Sequence, residues 1–377
     1  MTTDERFNLI TRNLTEVLTE EDLRHLLETD TPLRHYIGFE VSGKLHVGHF
    51  FQLMKVKDVQ EAGGETIIWL AGLHSVVNDK LGGNLDTIKR MSREYFIPAM
   101  ETLFECIGGD PKKLIFQLCS EEYAKHPEFW FTFLEMAKGT SLARSKRSIT
   151  IMGREEAEDS IETAKIMYPI MQAADIFLLQ ANIAQAGMDQ RKVHVVARDT
   201  ALQIKTSALK DSKGNQIKPV AIHTPILLGL QTQALIGDKE DADILAMLNK
   251  MSKSKAESGI TVHDSDEIIK KKINSAFAPE GYGDSTNNPL LNWTRYLIFN
   301  EQSARLNISR PEKWGGDMKF NSYEELEKAY IAKDLHPMDL KNAVADYLIE
   351  ILEPARKYFE EPKRKAALLE IENLTSR

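Results

Sequence analysis

Apolar positions fall into two rhythms along this chain. Three short, almost continuously apolar runs, YIGFE (36–40), TIIWLA (66–71) and KLIFQL (113–118), have the length and composition of strands buried on both faces. Between the last two, Met91, Tyr95, Ala99 and Leu103 recur every four residues, the spacing of a helix buried on one side, with Pro98 as its kink point. A further run, VAIHTPILLGL (220–230), reads as another buried strand and its exit. Strands alternating with helices predict a doubly wound α/β sheet, in which ligands bind at the carboxyl ends of the strands. KDSKGNQIK (210–218) and GDKEDAD (237–243) interrupt the pattern as polar surface loops. From about residue 263 the helical spacing takes over. It is clearest at Leu340, Ala343, Val344, Tyr347, Leu348, Ile351 and Leu352, a face opened by Pro337 and expected to end near Pro354. These signals divide the chain into an α/β domain over 1–262 and an all-α domain over 263–377.

Composition narrows the setting more than the chemistry. The chain has 377 residues, enough for two domains, and holds only two cysteines, Cys106 and Cys119. Two cysteines cannot make a disulfide framework or a cysteine-built zinc site, so a reducing cytoplasm is the expected setting. The opening MTTDERFNLITRN has no signal-peptide core, and no run of about 18 uncharged apolar residues predicts a membrane span. A net charge of −8 means that any nucleic-acid contact must use local basic patches.

The first candidate chemistry lies in GFEVSGKLHVGHFFQL (38–53). Here a predicted strand gives way to a predicted helix, and His46 and His49 stand at the helix start. The unpaired N–H groups and positive dipole end of such a start favour an anion. Gly48 lets a ligand approach the backbone, and Gly43 suits a tight loop. The motif alone also fits a helix start with ordinary capping histidines, and a metal site would need a third ligand that nothing nearby supplies. A second stretch, NKMSKSKAESG (249–259), alternates cations and hydroxyls after the last predicted strand. Lys250 and Lys253 offer charge to a polyphosphate, and Ser252 and Ser254 offer short hydrogen bonds.

Together HVGH and KMSKS resemble the two motifs of class I aminoacyl-tRNA synthetases. YPIMQAADI, GMDQRKVH and RPEKWGGD…NSYEELE…LHPMDLKNAVA narrow the resemblance, from Tyr36 to about Tyr358, to tyrosyl-tRNA synthetases of the archaeal and eukaryotic type. The resemblance implies a Rossmann-like catalytic domain, a helical anticodon-binding domain and a homodimer formed through a segment at about 105–165. It also implies ATP with Mg²⁺, L-tyrosine and tRNA(Tyr) as ligands, and no resident protein-bound metal. His46, His49, Lys250 and Lys253 would then serve catalysis, with Gly48, Ser252 and Ser254 on the ATP.

The amino-acid site also has a reading from the residues. In YPIMQAADIFLL, Tyr168, Gln172 and Asp175 stand at i, i+4 and i+7, a polar stripe on a helix otherwise apolar at Met167, Ile170, Met171, Ala174 and Leu178, with Pro169 at its first position. Buried polar groups need partners, either a ligand or an internal network. By resemblance, Asp175 and Tyr36 would hold the phenol of tyrosine, and Tyr168, Gln172 and Gln190 its ammonium. A buried acceptor facing a phenol rejects phenylalanine, a discrimination for which tyrosyl enzymes are the standing example.

Basic clusters are most often solvated faces, but the resemblance assigns two of them to the tRNA acceptor end. These are Arg144, Lys146 and Arg147 in ARSKRS, and the pair Arg191 and Lys192. Trp314, His336 and Asp339 fall where the family reads the anticodon, and an indole suits an unstacked base. HPEFWFTFLEM (126–136) fits a buried contact between copies or internal core equally well. Three positions and one insertion depart from the expected pattern. Trp69 stands for a leucine of the tyrosine pocket, Gly72 for an aspartate before Leu73 and His74, and Trp314 for another aromatic, while about a dozen extra residues precede KMSKS. A tryptophanyl enzyme of the same class and a non-catalytic RNA-binding relative are the alternatives. Asp175 paired with Tyr36 weighs against the first, and the presence of all the motif residues weighs against the second.

Overall fold

A computed structural model describes residues 1–152, 161–232, 258–301 and 303–375. Six strands form one sheet in the order β1-β6-β5-β2-β3-β4: β1 (Glu16–Leu18), β2 (Arg34–Phe39), β3 (Glu65–Leu70), β4 (Leu114–Leu118), β5 (Ile183–Gly187) and β6 (Val220–Thr224). All neighbours are parallel except β1, which runs antiparallel to β6 on the edge. The apolar runs at 36–40, 66–71, 113–118 and 220–230 all supply strands of this sheet. From β2 the chain winds outward through β3 to β4, then returns to place β5 on the other side of β2. The reversal opens a crevice at the carboxyl ends of β2 and β5.

The sequence pattern missed β5 and β1. β5 is built from Ile183, Ala184, Gln185, Ala186 and Gly187, whose small side chains give no apolar run but leave room beside the crevice. β1 is three half-buried residues, too short for any period to register.

The helix expected around Met91–Leu103 forms as Leu85–Met91 and Ile97–Cys106, joined by a π turn at Ser92–Phe96 directly before Pro98. A wider turn is how a helix absorbs a proline that has no N–H to give. In the C-terminal part, the helix Pro337–Tyr358 runs through Pro354 instead of ending there. Pro354 and Glu350, whose carbonyl loses its donor, are both exposed, within reach of solvent. The same part is helical apart from a two-stranded ribbon, β7 (Leu306–Ile308) and β8 (Met318–Phe320), which the sequence did not reveal.

One apolar cluster joins Phe50 and Leu103 beside the sheet to Trp293, Leu340 and Ile371 after residue 262. At the expected boundary the backbone is stitched to the start of the Val47–Glu61 helix. Val262 N donates to Leu45 O at 3.1 Å, and Val47 N donates to Ile260 O at 3.0 Å.

Candidate active site

A cleft at the carboxyl ends of the sheet collects Tyr36, Tyr168, Gln172, Asp175, Gln190, His46, Gly48 and His49. Lys250, Ser252, Lys253 and Ser254 lie outside the described residues, as does the stretch GDKEDAD, expected from sequence to be a surface loop.

At the rim, β2 passes through a short loop into the helix Val47–Glu61. His46 is the N-cap, in extended backbone conformation, and its Nδ1 accepts from Gly48 N at 3.1 Å. His49 answers it, its Nδ1 accepting from His46 N at 3.2 Å. The two imidazoles thus form a reciprocal cap in which each Nδ1 is an acceptor, which leaves Nε2 to carry the proton of each neutral ring. Capping and anion binding are therefore compatible at this helix start. The cap orients the rings, whose centroids are 4.1 Å apart.

The opposite end is closed and apolar around one carboxylate. Asp175 is fully buried, and its Oδ2 accepts from Trp69 Nε1 at 2.9 Å while Tyr123 Oη donates to Oδ1. Burial pushes the Asp175 carboxyl well above the usual carboxylate range, and the bonds from Tyr123 and Trp69 pull it back. Tyr36 is buried beside this group, and burial together with the Asp175 charge raises its phenol. Gly38 makes room for it, since a Cβ there would stand 2.8 Å from Tyr36 Oη. His74 is also buried. Its ring meets Tyr168 edge-on at 4.8 Å, neither nitrogen has a hydrogen-bond partner, and burial lowers it to about 3, so it stays neutral.

Between the two ends lies a patch of acceptors. Tyr168 Oη donates to Glu40 Oε1 at 2.8 Å, and Asn78 Nδ2 donates to the same oxygen at 2.9 Å. Gln172 Nε2 donates to Gln190 Oε1 at 3.2 Å, and Gln190 Nε2 donates to Asp189 Oδ2 at 2.8 Å. Two carboxylates, a phenol oxygen and two amide oxygens suit a cation. The helix carrying this stripe begins at Thr163, so Pro169 lies inside it and not at its first position. Met167, placed on its apolar side by sequence, is exposed. The i, i+4, i+7 geometry of Tyr168, Gln172 and Asp175 is unaffected.

Sequence reasoning missed Glu40, Asp189 and Tyr123. Glu40 and Asp189 stand inside the segments YIGFE and GMDQRKVH, where their charge was the available signal. Tyr123 sits on a short helix after β4, and no local pattern connects it to Asp175. Of the departures, Trp69 is a donor to the buried carboxylate, and Gly72 is packed so that a Cβ would meet Ile88 Cγ2 at 3.2 Å.

The acceptor-end candidates lie on two neighbouring helices. Arg144 Nη2 reaches Asp199 Oδ2 at 2.6 Å, and Lys192 Nζ reaches Thr150 Oγ1 at 3.2 Å. These contacts bring the helix of Arg144, Lys146 and Arg147 beside that of Arg191 and Lys192. Arg191 is held by Glu16 through Nε and Nη2, at 2.7 and 2.8 Å. Trp314, His336 and Asp339 do not line the cleft. Trp314 is exposed, and its loop is tied to Asp334 O by Arg310 Nη1 at 3.0 Å, close in sequence to the N-cap His336. The helix Phe129–Gly139 divides its faces. Phe129, Phe133 and Met136 are core, while Trp130, Phe131 and Leu134 are exposed.

Among the described residues, no helix is long and apolar enough to cross a membrane. No group of three or more His, Cys, Asp or Glu among them could hold a metal ion.

Comparison with known proteins gives a consistent answer. The family model for class I tRNA synthetases of the W and Y type matches residues 28–353. The tyrosine–tRNA ligase of Pyrococcus abyssi is 47% identical over 96% of this chain and 96% of its own. The tyrosyl-tRNA synthetase of Pyrococcus horikoshii, solved with L-tyrosine, superposes with a TM-score of 0.92 at 44% identity, covering 98% of this chain and all of its own. That of Aeropyrum pernix superposes at 0.80 with 37% identity, over 98% of this chain and 99% of its own. Neither the tryptophanyl nor the non-catalytic alternative is favoured by these relatives. With a parallel α/β sheet, paired histidines at a helix start and a buried carboxylate at the end of one cleft, this chain belongs to the tyrosine–tRNA ligase family of class I aminoacyl-tRNA synthetases.

Proposed function

We propose that the chain activates L-tyrosine with ATP to tyrosyl-adenylate and transfers the tyrosyl group to the 3′ end of tRNA(Tyr). The observation that carries this reading is Asp175, a fully buried carboxylate at the closed end of a cleft whose rim bears two imidazole donors on a helix start. Asp175 and Tyr36 take the phenol. Tyr168, Gln172 and Gln190, joined by Glu40, take the ammonium. The substrate's own carboxylate attacks the α-phosphate and pyrophosphate leaves, so no side-chain nucleophile is needed; catalysis is positioning and charge stabilisation. His46 and His49 donate to the phosphates at the rim. Lys250 and Lys253 counter the charge of pyrophosphate, with Ser252, Ser254 and the close backbone approach at Gly48 completing the ATP site. Mg²⁺ would accompany the ATP, held mostly by phosphate oxygens and water.

Arg144, Lys146, Arg147, Arg191 and Lys192 receive the acceptor end of the tRNA, and Trp314, His336 and Asp339 the anticodon. The exposed face of Trp130, Phe131 and Leu134 fits a homodimer contact within the segment 105–165. A cytoplasmic setting goes with the reaction. ATP–pyrophosphate exchange without tRNA, run separately with tyrosine, phenylalanine and tryptophan, tests the reading. Exchange with tyrosine alone is expected, and exchange with tryptophan alone overturns the pocket assignment.

A further inference from the structure

The family model ends at residue 353, so the helix Pro362–Thr375 lies beyond it. That helix nevertheless reaches the cleft, where Leu374 and Thr375 line the same rim as Ser42, His46 and Gly48. Its inner face is anchored by Ala367 and Ile371, both buried in the main apolar cluster. Its outer side is gripped by Arg90, whose Nη1 and Nη2 donate to the two oxygens of Glu370 at 2.6 and 2.5 Å. Bidentate pairing of this kind holds geometry better than an ordinary surface ion pair.

The three residues before His46 meet this C-terminal corner directly or through Tyr95. Gly43 has φ +119°, and a Cβ there would stand 3.1 Å from both the methyl and the hydroxyl of Thr375. Lys44 Nζ donates to Glu372 Oε1 at 2.6 Å. Leu45 N donates to Tyr95 Oη at 2.9 Å, and the Tyr95 ring packs 5.6 Å from Phe359, which ends the preceding helix. A glycine-containing loop between a strand and a helix is ordinarily among the softest parts of a fold. Here its backbone must hold His46 in the extended conformation on which the reciprocal histidine cap depends, and small displacements of such groups cost rate steeply.

We propose that the helix Pro362–Thr375 is a positioning element for the nucleotide end of the cleft. Glu370 ties the helix down through Arg90, and Glu372 and Thr375 hold Lys44 and Gly43, and through them His46 and His49, in the geometry that receives the phosphates of ATP. The proposal rests on the assignment of those histidines to phosphate. The apolar cluster around the closed end contains no residue of this helix, so the effect falls on ATP and not on tyrosine.

The test is ATP–pyrophosphate exchange by the full chain, with KM measured for each substrate. Ile371→Ser removes the buried anchor and Arg90→Glu breaks the outer grip. Each is expected to raise KM for ATP about tenfold while KM for tyrosine stays within about twofold. Adding Glu370→Arg to Arg90→Glu restores the pairing with reversed charges and brings KM for ATP back toward the parent value. Hydrogen exchange over 362–375 reports whether the helix has been released. A released helix with unchanged KM for ATP overturns the proposal, as does an equal rise in both KM values. His49→Ala separates the two layers. If it leaves ATP use intact, the phosphate assignment fails and takes the proposal with it. If it impairs ATP use while a released helix does not, only the role of the helix falls.

Discussion

The two ends of the cleft are built by opposite means. The closed end is core: Asp175, Trp69, Tyr36 and Tyr123 are all buried, and they come from a helix, two adjacent strands and the helix after β4. The rim is assembled from a loop, a helix start and the end of the last helix. Its His46 is only half-buried, and its ion pairs are open to water. Selecting one side chain needs a site that cannot rearrange, and packed core supplies that. Receiving and releasing a polyphosphate needs backbone N–H groups and charge within reach of solvent, which loops and helix ends supply.

If the ends are separable, damage to one should spare the other. Asp175→Ala gives the largest loss expected. Tyrosine-dependent exchange falls by at least about a thousandfold in kcat/KM, because the phenol, Trp69 and Tyr123 all lose their acceptor. KM for ATP should hold, and an equal change in it would erase the distinction between the ends. His49→Ala makes the converse case. It should lower kcat about a hundredfold through lost phosphate stabilisation, with KM for tyrosine at its parent value in steady-state assays.

Trp69→Phe removes the indole N–H from Asp175 and some ring volume, and keeps an aromatic ring there. A rise of about tenfold in KM for tyrosine is expected, with ATP kinetics untouched. No change would reduce Trp69 to a packing residue. The smallest effect concerns pH. Burial lowers His35, His74 and His263 from 6.5 to about 3, so below 6.5 the unfolded chain binds protons that the folded chain refuses. Stability from these rings is therefore complete above 6.5 and is lost as pH falls toward 3. Tm should drop between about pH 7.5 and pH 5, and a flat profile would contradict their burial as neutral rings.

Much of this was legible in the linear chain. YIGFE and TIIWLA announced central strands because a strand buried on both faces must be apolar throughout, whereas KLIFQL became the edge strand β4, whose middle residues are only half-buried. The spacing of Tyr168, Gln172 and Asp175 put them on one helix face whether the helix began at Thr163 or at Pro169. Four paired glycine and histidine positions marked a helix start, although capping and ligand binding looked like competing explanations until the reciprocal Nδ1 bonds made them compatible.

The remainder required tertiary structure, for a common reason. β5 carries no periodic signal because its small residues are selected by the space beside the crevice and not by their own strand. Trp69 and Tyr123 meet Asp175 only after β3, the helix following β4 and the Thr163–Leu178 helix have packed. The reach of Thr375 to Gly43 depends on the whole path of the last two helices. Local periodicity records which face of an element is buried. It holds no record of which distant element does the burying, and in this protein that pairing built both the closed end of the cleft and its rim.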